Sequence, residues 1–265
     1  MKLISLNTFA GTMFNDLMAF VETHKADTDV FCFQEILTTD QPDFITTKIG
    51  KRANLLDELK QRLPDFQVFY AAAQDGIPES DDICTGLQIG LAVFVKNTYT
   101  ITDSGDFFIY KHRNSYVHPD FLSFPYNALL VELSIDSQPV TICCLHGASQ
   151  PSDKLDTADR VAQSQTVIAF LKDRSGEKII MGDFNLLPET ESIRMFEPAG
   201  YRNLINEFKI STTRGTKHKQ LHPEYAGRYQ EYADYTFVTP ALKVTSFEVP
   251  DVSVSDHLPM ILEIE

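Results

Sequence analysis

The sequence predicts an α/β chain: two packed sheets with helices on their outer faces, a four-layer α-β-β-α sandwich. Three observations carry this expectation. Strand-like segments are short and nearly continuous in apolar residues, as in Val30–Phe31–Cys32–Phe33, which suits strands covered on both faces. Helical periodicity appears in only a few longer segments. The middle of the chain reads as successive hairpins, which favours two mainly antiparallel or mixed sheets packed face to face over a single open sheet.

The elements follow in order. Leu3 to Asn7 opens as a strand. Phe14, Leu17, Met18 and Val21 recur at i, i+3, i+4 and i+7, so Met13 to His24 is expected to be helical. Val30 to Gln34 is the second strand, and Leu55, Leu56, Leu59 and Leu63 mark the next helix. Phe66 to Ala72, Ile89 to Lys96, Asn127 to Ile135 and Val140 to Leu145 are strand-like. Val161, Ile168 and Leu171 then space a helix from Thr157 to Leu171. Lys178 to Met181, Tyr235 to Val238, Val244 to Val249 and Pro259 to Glu263 complete the strands. Residues 74–86, 104–126 and 209–233 are expected to be loops, where substrate contacts usually sit on a packed scaffold. No Gly/Ser/Pro-rich linker, internal repeat or low-complexity tract interrupts the 265 residues, so residues 1–265 read as a single domain.

Composition narrows the function. Hydrophobic residues at 43% and charged residues at 23% exclude a disordered or collagen-like chain. No apolar run approaches the ~20 residues needed to span a bilayer. The first strand starts directly after Met1, leaving no room for a signal peptide, so a soluble cytoplasmic protein is expected. Twenty-three basic against 37 acidic residues give a net charge of −14. Gripping long duplex DNA requires a basic face, so any nucleic-acid contact must be local. One local basic window exists: Arg214, Lys217, Lys219 and Arg228, with His218 and His222 among them and Glu224 opposing. It reads equally as a solvated loop or a patch for a substrate phosphate. The four cysteines form no metal signature, and the adjacent Cys143 and Cys144 of one strand point to opposite faces, so a reducing compartment fits.

The informative pattern is where polar residues sit. Apolar strands end in residues of catalytic type: Asn7, Glu35, His146, and Asp183 with Asn185 two residues on. Two late strands begin with them instead, Asp234 and the pair Asp256–His257. One strand's start shares a rim with its antiparallel neighbour's end, so all eight groups can converge on one rim. A single Asp or Asn at a strand end is usually a turn residue or a helix cap. Eight such groups of these types are much harder to explain as turns. In Gly182–Asp183–Phe184–Asn185, extended geometry would put both functional groups on one face. Ser255–Asp256–His257–Leu258–Pro259 offers a carboxylate and an imidazole at a strand entrance where Pro is tolerated.

Leu6–Asn7, Gln34–Glu35, Leu145–His146, Gly182–Asp183–Phe184–Asn185, Asp234–Tyr235–Thr236–Phe237 and Ser255–Asp256–His257 occur in this order. Together they resemble the motif set of the endonuclease/exonuclease/phosphatase superfamily, the DNase I-like fold. The resemblance spans essentially the whole chain and looks like a minimal, catalytic-domain-only member of bacterial type. It implies hydrolysis of a phosphodiester or phosphomonoester by water, with Mg²⁺ or Mn²⁺ as cofactor. Glu35 is then the principal metal ligand, Asn7 supplies an amide oxygen or a phosphate contact, and Asp256 a second carboxylate, direct or through water.

The same resemblance makes His257–Asp234 a pair that acts as base or holds the phosphate as imidazolium. It makes Asp183 the competing base, Asn185 its orienting partner and His146 a donor to the phosphate. Arg214, directly after Ser211–Thr212–Thr213, is the candidate substrate-phosphate contact. The expected partner is a phosphoester, either a nucleic-acid end or a small phosphodiester. No stable membrane insertion is expected and no protein partner is inferable. Two alternatives stand beside this: a catalytically inactive binding module on the same scaffold, or a lipid-headgroup hydrolase of the sphingomyelinase or phosphoinositide-phosphatase kind. A lost motif residue would favour the binding module, and none is lost at Glu35, Asp183, Asp256 or His257. A basic amphipathic anchor would favour the lipid enzyme, and none is visible.

Overall fold

The computed structural model describes residues 1–79, 82–135, 138–223 and 229–265. The chain runs β1 (Lys2–Asn7), α1 (Phe14–His24), β2 (Val30–Thr38), α2 (Leu55–Arg62), β3 (Phe66–Glu79), β4 (Asp82–Lys96), β5 (Ile101–Tyr110), β6 (Tyr126–Ile135) and β7 (Gln138–His146). Then come α3 (Ala158–Lys172), β8 (Glu177–Asp183), α4 (Glu191–Arg194), β9 (Arg202–Asn203), α5 (Leu204–Glu207) and α6 (Thr216–Leu221). Strands β10 (Asp234–Val238), β11 (Val244–Glu248) and β12 (Met260–Ile264) close the sequence. One six-stranded sheet has the order β11-β12-β1-β2-β4-β3 and the other β5-β6-β7-β8-β10-β9. Both are mixed: β1 is parallel to β2 and β7 to β8, whereas β12 and β10 run antiparallel to β1 and β8.

The apolar runs are continuous where a strand, such as β1, β2 or β8, is covered on both faces. Leu3, Val30, Cys32 and Val93 face the second sheet and share one core with Ile142, Cys144 and Met181. The alternate residues Ile4, Leu6, Phe31, Phe33 and Phe94 face outward onto Leu17, Val21, Leu55 and Leu59 of α1 and α2. On the far side, Val167 and Leu171 of α3 belong to the same continuous apolar cluster, and Phe170 stacks on Phe107 with centroids 3.9 Å apart. The four-layer sandwich of the sequence reading is therefore the observed architecture. Among the described residues no helix is long and apolar enough to cross a membrane.

Three expectations need correction. Residues 74–86 are mostly the outer part of the β3–β4 hairpin, irregular in register at Ala72/Gln74 and Asp75/Ile77. Part of 104–126 is strand β5, an edge strand whose Thr102 to Asp106 are exposed, so no apolar run marks it. Strand β2 does not end at Glu35. It continues to Thr38 after a register shift between Phe33 and Ile36. Of the basic window, Glu224 and Arg228 lie outside the described residues.

Candidate active site

Strand pairing assembles the centre. His146 at the end of β7 is in register with Asp183 at the end of β8, and Asp183 is in register with Asp234 at the start of β10. Three functional residues thus sit side by side on one rim. Gly182 makes this row possible: a Cβ there would lie 2.0 Å from the carbonyl oxygen of Leu145 on β7, and its φ is +148°. From the opposite sheet, Ser255 Oγ donates to the Asn7 carbonyl (2.7 Å), tying the turn before β12 to the end of β1. That turn delivers Asp256 and His257.

His257 and Asp234 form the expected pair. Nδ1 of the imidazole lies 2.9 and 3.0 Å from the two Asp234 oxygens, and Nε2 lies 3.5 Å from Asp183 Oδ2. Burial and the Arg214 charge pull the His257 pKa down, but Asp234, Asp256 and Asp183 together outweigh them, so it is raised. Burial alone would raise the Asp183 pKa; His257, Lys154, His146 and Arg214 reverse this and bring it down to about 2. Asp183 is therefore ionised at neutral pH. His146 Nε2 lies 3.6 Å from its Oδ2, with the ring edge-on to Tyr126 at 5.1 Å.

Asn7 and Glu35 meet as the sequence suggested. Asn7 Nδ2 donates to Glu35 Oε1 (3.2 Å) and Asp183 Oδ2 (3.0 Å), while its Oδ1 accepts from the Phe9 amide. Glu35 has a φ of +58°, so it occupies a bulge that turns its carboxylate toward Asn7. Non-glycine residues in this region cost of order 1–3 kcal/mol and cluster at functional sites. Asn185 and Lys154 share the conformation.

Asp256 is held differently from the metal-ligand expectation. Its Oδ2 accepts from Arg214 Nη1 at 2.9 Å and lies 3.3 Å from His222 Nε2 and 3.7 Å from His218 Nδ1. Burial would raise the Asp256 pKa, yet His257, His218, His222 and Arg214 hold it well below the usual carboxylate range. The basic window therefore divides. Arg214, His218 and His222 converge on Asp256, while Lys219 pairs with Glu231 at the surface.

Asn185 does not share an extended face with Asp183. Its amide N–H donates to Asp183 Oδ1 (2.8 Å) in a tight turn, and its Nδ2 donates to the Gly147 carbonyl (3.0 Å). Its Oδ1 accepts from Lys154 Nζ at 2.7 Å. Lys154 belongs to no strand end, and the sequence reading does not flag it. Desolvation by burial and the neighbouring Arg214 charge, only partly offset by Asp183, Asp234 and Asp256, lower its pKa to about 7. The segment that carries it is fastened by α3. The fully buried Arg160 donates to the carbonyls of Pro151 (2.6 Å), Leu155 (2.7 Å) and Ala148 (3.2 Å), and Gln163 Oε1 accepts from the Ala148 amide.

Glu35, His146, Lys154, Asp183, Asn185, Arg214, Asp256 and His257 line a cleft of about 340 Å³. Its other wall is apolar, with Ile77, Ile89, Phe121, Phe124 and Tyr126 among the residues that form it. Of the aromatic residues in 104–126, these last three reach the cleft, whereas Phe107 packs on α3. His24 packs on Phe20 in α1, and His118 bonds to Tyr116.

The donor chemistry suits a hard divalent cation. Glu35 offers a carboxylate beside Asn7, whose amide would have to turn its oxygen from the Phe9 N–H to serve as a ligand, and among the described residues four rim carboxylates face the permanent cation Arg214 and Lys154, whose charge burial weakens. Two further sets, Asp183/Asp234/His257 and His218/His222/Asp256, have ligand atoms within 4.8 Å of one another. In the second, Arg214 already supplies positive charge at Asp256.

Two six-stranded sheets between helical layers, with an acid–imidazole rim at their strand ends, define the class of scaffold. Residues 4–257 match the Endonuclease/Exonuclease/phosphatase family, and the chain belongs to it. Similar solved structures include an endonuclease/exonuclease/phosphatase family protein from Leptotrichia buccalis C-1013-b (TM-score 0.74, 18% identity, covering 100% of this chain and 99% of that one). A mannosyl-6-phosphatase from Bacteroides thetaiotaomicron VPI-5482 aligns at TM-score 0.70 and 15% identity over 100% and 99% of the two chains. The catalytic domain of human Nocturnin aligns at TM-score 0.66 and 16% identity over 100% and 93%. No curated protein matches the chain by sequence.

Proposed function

We propose that this protein hydrolyses a phosphoester, a phosphodiester or a phosphomonoester, with Mg²⁺ or Mn²⁺ as cofactor. The single observation that carries this is the in-register row His146–Asp183–Asp234 with His257 bonded to Asp234. Such a row can orient water and hold phosphoryl oxygens at one point. Glu35 and Asn7 would hold the divalent cation, with Asp256 as a further carboxylate on the same rim. The cation would neutralise charge on the phosphoryl oxygens and the leaving group.

Asp183, ionised at neutral pH, orients the attacking water and accepts its proton as the bond forms. A carboxylate of such low pKa is a weak base, so its contribution is mainly position and charge. His257, whose pKa its carboxylate neighbours raise, donates through Nε2 to a phosphoryl oxygen when protonated, and Asp234 fixes its orientation. His146 donates to a second phosphoryl oxygen. Asn185 positions Asp183 through its own amide and holds Lys154 through its side chain.

Divalent-dependent hydrolysis measured across a phosphoester panel tests this. The panel holds single-stranded and abasic DNA, RNA, a 5′-phosphotyrosyl end, an inositol phosphate, a sugar phosphate and sphingomyelin. Asp183→Ala and Glu35→Ala are expected to lose at least ~10²-fold in kcat on the substrate that is turned over, with the fold intact. Unchanged turnover in either variant, or silence of the wild type across the panel, would overturn the proposal.

A further inference from the structure

Two buried basic side chains in the cleft use only part of their hydrogen-bonding capacity. Arg214 is 7% exposed. Among the described residues only its Nη1 is engaged, to Asp256 (2.9 Å) and against His218 Nδ1 (3.3 Å). Neither Nε nor Nη2 is sealed away from solvent, and the residue lines the cleft. Lys154 is 8% exposed and lines the same cleft. Its Nζ makes one hydrogen bond among the described residues, to Asn185 Oδ1, although it carries two protons as an amine and three as the ammonium that a bound anion favours. Burying cations with unused donors is costly unless an anion completes them. The fold invests in this arrangement: Arg160 fastens the Lys154 segment, and Thr213 and Leu258 bond across the base of Arg214.

The opposite wall has the reverse character. Rings run from the mouth to the centre, Phe121–Tyr116–Phe124–Tyr126–His146, each centroid within 5.1–5.6 Å of the next. Phe121 remains 47% exposed at the mouth. The cleft, at about 340 Å³, lies at the small end of ligand pockets. A net charge of −14 repels a polyanion approaching over the surface.

We propose that Lys154 and Arg214 clamp the phosphoryl group of a small phosphoester whose alcohol part is apolar or aromatic and lies against Tyr126, Phe124 and Phe121. This rests on the phosphoesterase reading and names its substrate class. The clamp draws on Lys154 Nζ and the free side of the Arg214 fork, while Asp256 keeps the fork in place through Nη1. The ring wall selects the alcohol, and polymers are excluded by size and charge.

Calorimetric titration with inorganic phosphate tests the clamp without relying on turnover. Lys154→Met and Arg214→Met are each expected to weaken phosphate binding about 10–100-fold, the loss of one charge-assisted hydrogen-bond donor. Should either neutral variant unfold, Lys154→Arg and Arg214→Lys decide. Both keep the charge but misplace the donors, and a clamp requires at least one to bind phosphate several-fold more weakly. Phosphate affinity unchanged in the folded variants overturns the clamp, and leaves the hydrolase reading standing if turnover persists. Clamp-dependent phosphate binding without hydrolysis of any phosphoester supports the clamp and sinks the hydrolase reading. For the alcohol, KM for 4-nitrophenyl phosphate should be lower than for glycerol phosphate, and Phe121→Ala should raise the first several-fold and leave the second unchanged. Equal KM values, both indifferent to Phe121→Ala, or preferred cleavage of a long oligonucleotide would overturn the substrate class.

Discussion

Asp234 holds both His257 contacts at 2.9–3.0 Å and is itself fixed by Thr213 Oγ1, which accepts from its amide at 3.2 Å. Its carboxylate is one of three that raise the His257 pKa against burial and Arg214. A raised histidine pKa has a defined sign: the linked stability is fully present below the unfolded value of about 6.5 and is lost as pH rises through the folded value. The imidazolium proposed to contact phosphate would disappear over the same range. Asp234→Asn should therefore lower kcat by about 10²–10⁴-fold and move the basic limb of the kcat/KM profile to lower pH. A pH–rate profile checks it, and a basic limb that stays in place would detach His257 from that limb. The pair was legible in the sequence because Asp234 begins a strand and His257 lies in the turn three residues before one. Lys154 was not, since it lies in an irregular segment eight residues beyond His146 and only folding brings it to Asn185.

At the scale of elements, the site depends on short segments held by distant side chains. Helix α3 illustrates this. Its buried face is mixed: Val167 and Leu171 enter the core, while Arg160 and Gln163 bind backbone of the preceding segment. Replacing Arg160 by Met leaves three carbonyls without their donor, so a loss of about 3–5 kcal/mol is expected from a urea transition. Arg160→Lys should recover little of it, because a single ammonium cannot reproduce the guanidinium fork. Wild-type midpoints in either variant would show that the segment is held by other contacts. The same scale explains what the sequence revealed of the fold. Strands β1, β2 and β8 were visible because burial on both faces demands unbroken apolar runs. Edge strand β5 has one flank against β6 and Thr102 to Asp106 in solvent, so no apolar run marks it and its part from residue 104 onward reads as loop. The outer β3–β4 hairpin carries polar residues and bulges, which erase the alternation that would mark a strand.

Across the whole molecule, charge is the dominant constraint. The chain carries −14 overall, and Glu35, Asp183, Asp234 and Asp256 gather on one rim. Lys154 and Arg214 offset part of this, and the depressed Asp183 and Asp256 pKa values reflect both cations and imidazoles at close range. A divalent cation at Asn7 and Glu35 would relieve the remaining repulsion in the folded state alone, since the unfolded chain does not bring residues 7 and 35 together. Ligand binding to the native state stabilises by RT ln(1 + [L]/Kd), about 2.7 kcal/mol at one hundred times Kd. For a chain of this length that corresponds to a rise in Tm of roughly 5–10 °C. Saturating Mg²⁺ or Mn²⁺ should therefore raise Tm by several degrees over an EDTA-treated sample. In Glu35→Gln, which keeps the shape and removes the charge, most of that shift should vanish. Ca²⁺ or added NaCl at matched ionic strength separates site binding from general screening, because screening would raise Tm equally in wild type and variant. A shift of equal size in both proteins would move the cation away from Glu35 and onto the acidic surface as a whole.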